Sequence, residues 1–488
     1  MIRNGKDISS GTVVSTQVCI IGSGPAGITA AWYLQQAGLK VTLLEGSRDY
    51  RDADLEASWP DKVLLYNGSA DGLFATNEPE FLILPYGKQR SQAWERERVY
   101  GGTSAHWGGQ SRPLDPITFA ERPGFPGWPI NRTDLDPYYV QAAALCKLHG
   151  DDFSAGYWAG ILRAEVPDLV GFDAEMYQFI GKNYLNFSTR TFDGTTIGQS
   201  PVDVILNASM LEIDHGNGVV NGLRVASMDD ETPPRKATEF AVKADVYVLA
   251  CGAVANARQL LLSNAGNEYD QVGRYFMGHP LVTSQVVTIK HPYLSNAEPR
   301  LMEGRTPKGP WEDPNGVKVA GRFSPNADQQ AKLGIGSCWF WSGGGRYYFE
   351  IASNPDNRVT LADTLDLVFG QRQTKITWDL GPLDEATYNQ STQLFKTAVN
   401  DRGGDVAFQS WESVKSQAII NGHHIGTTRM SSDPTQGVVD ANLKVHSLDN
   451  LYVAGSSVFP SAGISNPTFT IITLSIRLAE HLSRTLSS

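Results

Sequence analysis

The chain has 488 residues, 41 of them Lys or Arg and 52 Asp or Glu, for a formal net charge of −11. That length exceeds what one hydrophobic core organises, so several domains are expected, and the acidic balance argues against nucleic acid or an anionic membrane as the main partner. With 41% hydrophobic and 19% charged residues, and no run near the roughly 18 apolar residues of a membrane span, the composition is that of a soluble globular protein.

Met1–Thr16, MIRNGKDISSGTVVST, has no apolar h-region, and no signal peptide is expected. Val18–Ser47 then reads as strand, glycine turn, helix and strand, the opening βαβ unit of a dinucleotide fold. Gly22 permits the tight turn, Gly24 leaves room for a pyrophosphate, and Gly27 lets the helix pack closely on the strand. The helix N-terminus offers free N–H groups to a diphosphate. After the second strand (Val41–Leu44) comes Glu45, placed to accept hydrogen bonds from a ribose.

Arg48 to about Arg98 has no clean period and reads as an excursion from this unit. Gly101–Pro113, GGTSAHWGGQSRP, packs glycines around Thr103, Ser104, His106 and Trp107. Such a loop holds backbone close to a flat ligand or is an ordinary Gly-rich surface loop, and these residues alone leave both open. From Leu114 to Phe192 turn signals lead into a helix near Tyr138–Leu148, the start of a second domain.

Val202–Leu206 and Met210–Ile213 are apolar runs, and Gly216-Asn217-Gly218 is a hairpin turn before Val219–Val225. Asp245–Ala250 is a buried strand meeting Cys251-Gly252 and a helix, Asn256–Ser263, which repeats the opening logic. GRYFMGHP, Gly273–Pro280, closes that segment. Candidate strands at Val282–Ile289, Val317–Phe323, Cys338–Trp341, Tyr347–Ile351 and Thr374–Trp378 suit a sheet with one face lining a pocket, and a helix follows near Glu385–Asn400. The last section holds NGHHIGTTRM, a strand at Leu451–Ala454 with a glycine turn at Gly455, and a helix starting at Pro467 with Asn466 at its N-cap.

Together these residues resemble the glucose–methanol–choline (GMC) flavin oxidoreductases over nearly the whole length. The resemblance rests on Gly22–Gly27 with Glu45, the GG-T/S-x-x-x-W loop Gly101–Trp107, and the strand and helix Asp245–Ser263. It rests further on NPDNRVTL (Asn354–Leu361) and on the closing HxxGTxRM (His423–Met430), AGS and NPT (Asn466–Thr468) motifs. It implies an α/β protein: a Rossmann-like FAD-binding domain assembled from segments 1–113, 201–281 and 421–488, and an α+β substrate domain with an antiparallel sheet from 114–200 and 282–420. It implies FAD held by Gly22, Gly24, Gly27, Glu45, Gly101, Gly102, Thr103, Ser104, His106, Trp107, Met210, Gly252, Gly455, Ser456, Pro467 and Thr468. It implies oxidation of an alcohol with hydride passing to flavin N5, His423 being the histidine near N5 and Asn466 its partner.

Within the family the loop and HxxGTxRM most resemble pyranose oxidases and bacterial glycoside 3-oxidases, so the expected substrate is a secondary alcohol of a sugar or glycoside. His106 sits where fungal pyranose oxidase attaches FAD covalently, and Gly108 replaces a threonine two residues on that bears on oxygen reactivity. The electron acceptor, oxygen or another species, stays open, and a homo-oligomer is compatible with the sequence. The rivals are a GMC enzyme for a non-sugar alcohol and a lyase on the same fold with structural FAD.

From the residues themselves, hydride loss from a neutral alcohol needs its hydroxyl proton removed, which suits a histidine base. Asn466 can donate to the same oxygen without competing for the proton. His424 is the alternative base, with the spacing to Gly426-Thr427 favouring His423. Arg429 reads as a structural ion-pair partner and His279 as structural, while His149, His215, His291, His446 and His481 read as surface or packing residues. No histidines and carboxylates show metal-ligand spacing, and no metal is expected. Cys19, Cys146, Cys251 and Cys338 lack CxxC spacing and read as reduced core thiols of a cytoplasmic protein.

Overall fold

The structure, a computed structural model, describes residues 1–47, 98–105, 107–162, 166, 168–231, 235–282, 313–340, 347–366, 368–420 and 422–487. The excursion at 48–97, the candidate strand at 283–289, His106 and His291 lie outside the described residues.

The first sheet runs in the order Ile2–Asn4, Asp203–Leu206, Val41–Leu44, Val13–Ile21, Lys236–Leu249, Val219–Met228 and Ser209–Gly216, with Leu451–Val453 also paired to Lys236–Leu249. Strand Val13–Ile21 lies parallel to both neighbours, and its inner residues Val18, Cys19 and Ile20 are fully buried, as an apolar run covered on both faces must be. Lys236–Leu249 is long enough to change partners. Its first half pairs antiparallel with Val219–Met228, and its second half is sandwiched in parallel between Val13–Ile21 and Leu451–Val453. The hairpin at Asn217-Gly218 forms where the turn residues place it, both at positive φ (54° and 80°) as a two-residue turn between twisted strands requires.

Helix Pro25–Gln36 covers this sheet and packs against the C-terminal helix Pro467–Ser487, which in turn packs on Arg132–Leu145. The last of these begins six residues before the expected position. Asn131 N–H donates to Asp134 Oδ2 at 2.8 Å, and that local cap starts the helix ahead of its apolar pattern.

The second sheet is antiparallel throughout, in the order Ile419–Ile420, Pro280–Val282, Tyr347–Phe349, Cys338–Phe340, Lys318–Pro325, Phe172–Phe179 and Gln110–Ser111. The eight-residue strand Phe172–Phe179 has no forerunner in the sequence reading, although Phe172 to Met176 alternates apolar and polar residues, and its residues from Glu175 onward are all buried. The segment expected as a strand at Thr374–Trp378 does form, as Arg372–Thr377, but outside this sheet. It makes a separate hairpin with Arg358–Leu365, tied to the helix Ala253–Leu262 by Arg258, whose guanidinium donates to the Arg372 carbonyl at 3.0 Å. All four cysteines are unpaired, and among the described residues no helix is long and apolar enough to cross a membrane.

The helix meets the turn after the strand closely at Gly27, where a Cβ would lie 1.9 Å from the Gly22 carbonyl oxygen. Gly160, in the helix Ala155–Leu162, has nothing within 4 Å of such a Cβ. Gly27→Ala should therefore destabilise by at least the ~1–3 kcal/mol of an overpacked core, while Gly160→Ala should stabilise by roughly 0.5–1 kcal/mol. Urea unfolding of the two variants checks the contrast, and equal effects would refute the close approach.

Candidate active site

Three parallel strands end level with one another: Ile21 and Val453 both stand opposite Leu249. The turns that follow, at Gly22–Gly24, Cys251–Gly252 and Gly455–Ser456, emerge side by side at the carboxyl ends of the strands, where open α/β sheets bind ligands. They line one cavity of about 590 Å³.

The glycines divide the work. Gly22 has φ +105°, and a Cβ there would lie 2.5 Å from the Ala250 carbonyl oxygen, so it serves the turn. Gly24 has ordinary φ and nothing within 4 Å of its Cβ position, so the space beside it is open to a ligand. Gly102 comes in from the other side, its Cβ direction closed by Gly24 Cα at 2.9 Å. Glu45 is buried, accepting from Ser23 Oγ (2.6 Å) and Ser23 N–H (3.2 Å) on one oxygen and from Ser47 N–H (2.9 Å) on the other.

Of the residues expected at a cofactor, Gly22, Gly24, Glu45, Gly102, Thr103, Ser104, Trp107, Met210, Gly252, Gly455, Ser456, Pro467 and Thr468 are on the cavity wall, as are His423 and Asn466. Gly27 and Gly101 are not on the wall. Gly27 is taken up by helix–strand packing, and Gly101 is closed in by Asn186, 2.6 Å from its Cβ direction. Among the walls not foreseen are Arg98, Gln110, Phe179, Trp339 and Tyr348. The last two fall in the aromatic strands expected to face a pocket and Gln110 in the glycine-rich loop, whereas Arg98 carries no local signal.

The catalytic candidates meet across the chain. Asn466, immediately before the C-terminal helix, brings its Nδ2 to 3.1 Å from His423 Nε2. On the other side of the ring, His423 Nδ1 lies 2.8 Å from Nδ1 of His279, whose Nε2 lies 2.7 Å from the Gly463 carbonyl oxygen. Burial pulls the His279 pKa down to about 4. Burial, with repulsion from His279 and His424, holds that of His423 well below the ordinary 6.5, so both rings are neutral at neutral pH. His424 also lines the cavity, stacked at an angle on Phe276 with ring centroids 5.5 Å apart.

The backbone of HxxGTxRM is threaded between two other segments. Gly426, Thr428 and Met430 donate N–H bonds to Ser456, Ser457 and Val458, and Thr427 Oγ1 donates to the Ala253 carbonyl. Gly426 has φ +90°, and a Cβ there would lie 2.3 Å from the Tyr275 carbonyl oxygen, which explains the glycine of this motif. Arg429 is structural, though not as the expected ion pair: it donates to the Gln436 carbonyl and Ser353 and sits over the Tyr275 ring. Among the described residues no cluster of His, Cys, Asp and Glu is arranged to hold a metal ion.

The family model described as GMC oxidoreductase matches residues 353–475, and that described as FAD dependent oxidoreductase matches 17–59. The 6'''-hydroxyparomomycin C oxidase of Streptomyces lividus is 26% identical over 96% of this chain and 92% of its own length. The pyranose 2-oxidase of Tricholoma matsutake is 25% identical over 49% of this chain, a match that spans about half, 46%, of that protein. Pyridoxine 4-oxidase from Mesorbium loti superimposes with a TM-score of 0.60 at 15% identity, covering 96% of this chain and 99% of its own, a likeness of fold.

The residues fit FAD: a glycine turn with open space at Gly24, a buried acid at Glu45, and a helix start at Pro467 facing the same cavity. Gly24→Val should fold normally yet lose the flavin, because the added branch points only into the open space. Flavin absorbance per mole of protein, read beside a thermal melt, checks this, and full flavin content in the variant would refute the placement.

Proposed function

The chain is an FAD-dependent oxidoreductase of the GMC type, and from that premise we propose that it oxidises a secondary alcohol of a sugar or glycoside to a ketone, with His423 as the base. The observation that carries this reading is the His423 Nε2–Asn466 Nδ2 contact of 3.1 Å on the cavity wall. Bound FAD supplies the two-electron hydride acceptor. The chain's own residues manage the proton and the position of the alcohol.

A substrate hydroxyl that replaces this direct contact donates to His423 Nε2 and accepts from Asn466 Nδ2, whose N–H turns from the imidazole to the substrate oxygen. As hydride leaves the carbinol carbon, the hydroxyl proton passes to His423, and the amide stabilises the negative charge that gathers on oxygen. A neutral imidazole is required at the outset, and the lowered His423 pKa supplies it. The same lowering limits its strength as a base, a cost offset by alignment within the hydrogen bond.

The sugar reading draws on the relatives named above and on other residues of the same cavity wall. Trp339 and Tyr348 stack with ring centroids 4.3 Å apart and present a flat apolar surface, suited to the C–H face of a sugar ring. Gln110 brings to the same cavity a buried Nε2 that meets no partner among the described residues, a donor suited to a sugar hydroxyl. The cavity is thus a polar pair and an aromatic platform around one space.

Anaerobic mixing with a panel of sugars and glycosides should bleach the flavin. His423→Ala should slow that reduction by roughly 10²–10⁴ with FAD retained, Asn466→Ala should slow it less, and His424→Ala should leave it largely intact. Loss of reduction in His424→Ala with His423→Ala unaffected would move the base one residue along.

The pH dependence follows in sign. The rate is set by the neutral fraction of His423, so it should be level at neutral pH and fall only as pH drops below 6.5 through the lowered pKa. Stopped-flow reduction from pH 4 to 9 checks this, and a rate still climbing above pH 7 would refute the neutral buried base.

A further inference from the structure

We infer that His279 is a positioning residue that holds His423 in the tautomer with hydrogen on Nδ1 and a bare Nε2 turned to Asn466. The inference rests on the reading of His423 as the base. It follows from which atoms can donate. The Gly463 carbonyl oxygen only accepts, so the 2.7 Å contact requires hydrogen on His279 Nε2. A neutral imidazole carries one N–H, which leaves His279 Nδ1 bare. The hydrogen in the 2.8 Å contact between the two Nδ1 atoms therefore belongs to His423, and its Nε2 keeps the lone pair. The amide N–H of Asn466, donating to that same Nε2, requires the same assignment from the opposite end.

The neutrality of His279 is built into its surroundings. The ring is 1% exposed, and the groups facing it are His423, the Gly463 carbonyl and, at longer range, Glu350. Glu350 is already engaged: it accepts from Gly463 N–H at 2.7 Å, Arg122 at 3.0 Å and Ser337 N–H at 3.1 Å. Its bond to Gly463 instead fixes the peptide whose carbonyl orients His279. Gly463 itself has φ +59°, and a Cβ there would lie 2.8 Å from Thr118 Oγ1 and from Leu114 Cδ2, so its place is closed to other residues.

Register brings the two histidines together. Met277 and Ile425 exchange both backbone hydrogen bonds, each at 3.0 Å, in an antiparallel bridge. Two residues along in opposite directions stand His279 and His423, on the same side of that ribbon. His279 does not line the cavity, and it acts on the alcohol only through His423.

The test is made on the full FAD-loaded protein labelled with ¹⁵N-histidine, with His423 identified by its missing signals in His423→Ala. The ring-nitrogen shifts of the wild type should report hydrogen on Nδ1 of His423, a measurement that needs no change at His279. His279→Asn places an amide oxygen near the Nδ1 position and should keep both this tautomer and flavin reduction within a few-fold. His279→Gln reaches toward Gly463 but leaves no acceptor at that position. It should shift the His423 tautomer and slow reduction by at least roughly tenfold. Hydrogen on Nε2 of wild-type His423, or a His279→Gln variant with unchanged tautomer and rate, would overturn the proposal. Failure of the base reading looks different: His423→Ala would reduce the flavin at the wild-type rate, while the tautomer shift in His279→Gln would still support the assignment made here.

Discussion

The site depends on one strand. Lys236–Leu249 lies between Val13–Ile21 and Leu451–Val453 with all three chains parallel and their last residues in register. Because the strands end level, the three glycine turns beyond them converge on one space rather than opening at different heights. Segments more than two hundred residues apart in sequence thus supply a single cavity wall. A register slip in any of these pairs would turn buried side chains to the other face and move one turn out of line.

The second layer of organisation is backbone-to-backbone and leaves little slack. HxxGTxRM is bonded on one side to Ser456–Val458 and on the other to Met277. Gly426, Gly22 and Gly27 each stand where a Cβ would meet a carbonyl oxygen at 2.5 Å or less. Such contacts fix the backbone that carries His423, whose Nε2 lies 3.1 Å from Asn466 Nδ2, and the proton transfer proposed for that pair calls for such preorganisation. The electrostatics agree with that geometry. His279 and His423 are kept neutral by burial, and the nearest acid is tied to an arginine and two backbone N–H groups.

Much of the cavity was legible because its parts are local. A strand, a glycine turn and a helix start occupy a few consecutive residues, so Gly22, Gly24, Gly455 and Pro467 announce themselves by type and order. Gly27 and Gly101 belong to the same motifs yet pack away from the cavity, since a motif glycine serves either the ligand or the packing behind it. The strand Phe172–Phe179 alternates apolar and polar residues over its first five positions but is buried along most of its length, and without it the seven-stranded sheet could not be ordered.

The sequence by itself determined the dinucleotide turn and the α/β class, because each rests on residue types at short, fixed spacing, and its resemblance to the GMC flavin enzymes marked His423 and Asn466, 43 residues apart, as a candidate pair. Only the tertiary structure decided what His279 does. It lies 144 residues from His423, and its part depends on an antiparallel register and on a carbonyl group with no side chain to mark it. The same holds for Gln110, Trp339 and Tyr348, which share the cavity with the histidine only once the two sheets are packed. Spacing along the chain carries local geometry, whereas hydrogen-bond direction between distant segments exists only after the backbone has closed around it.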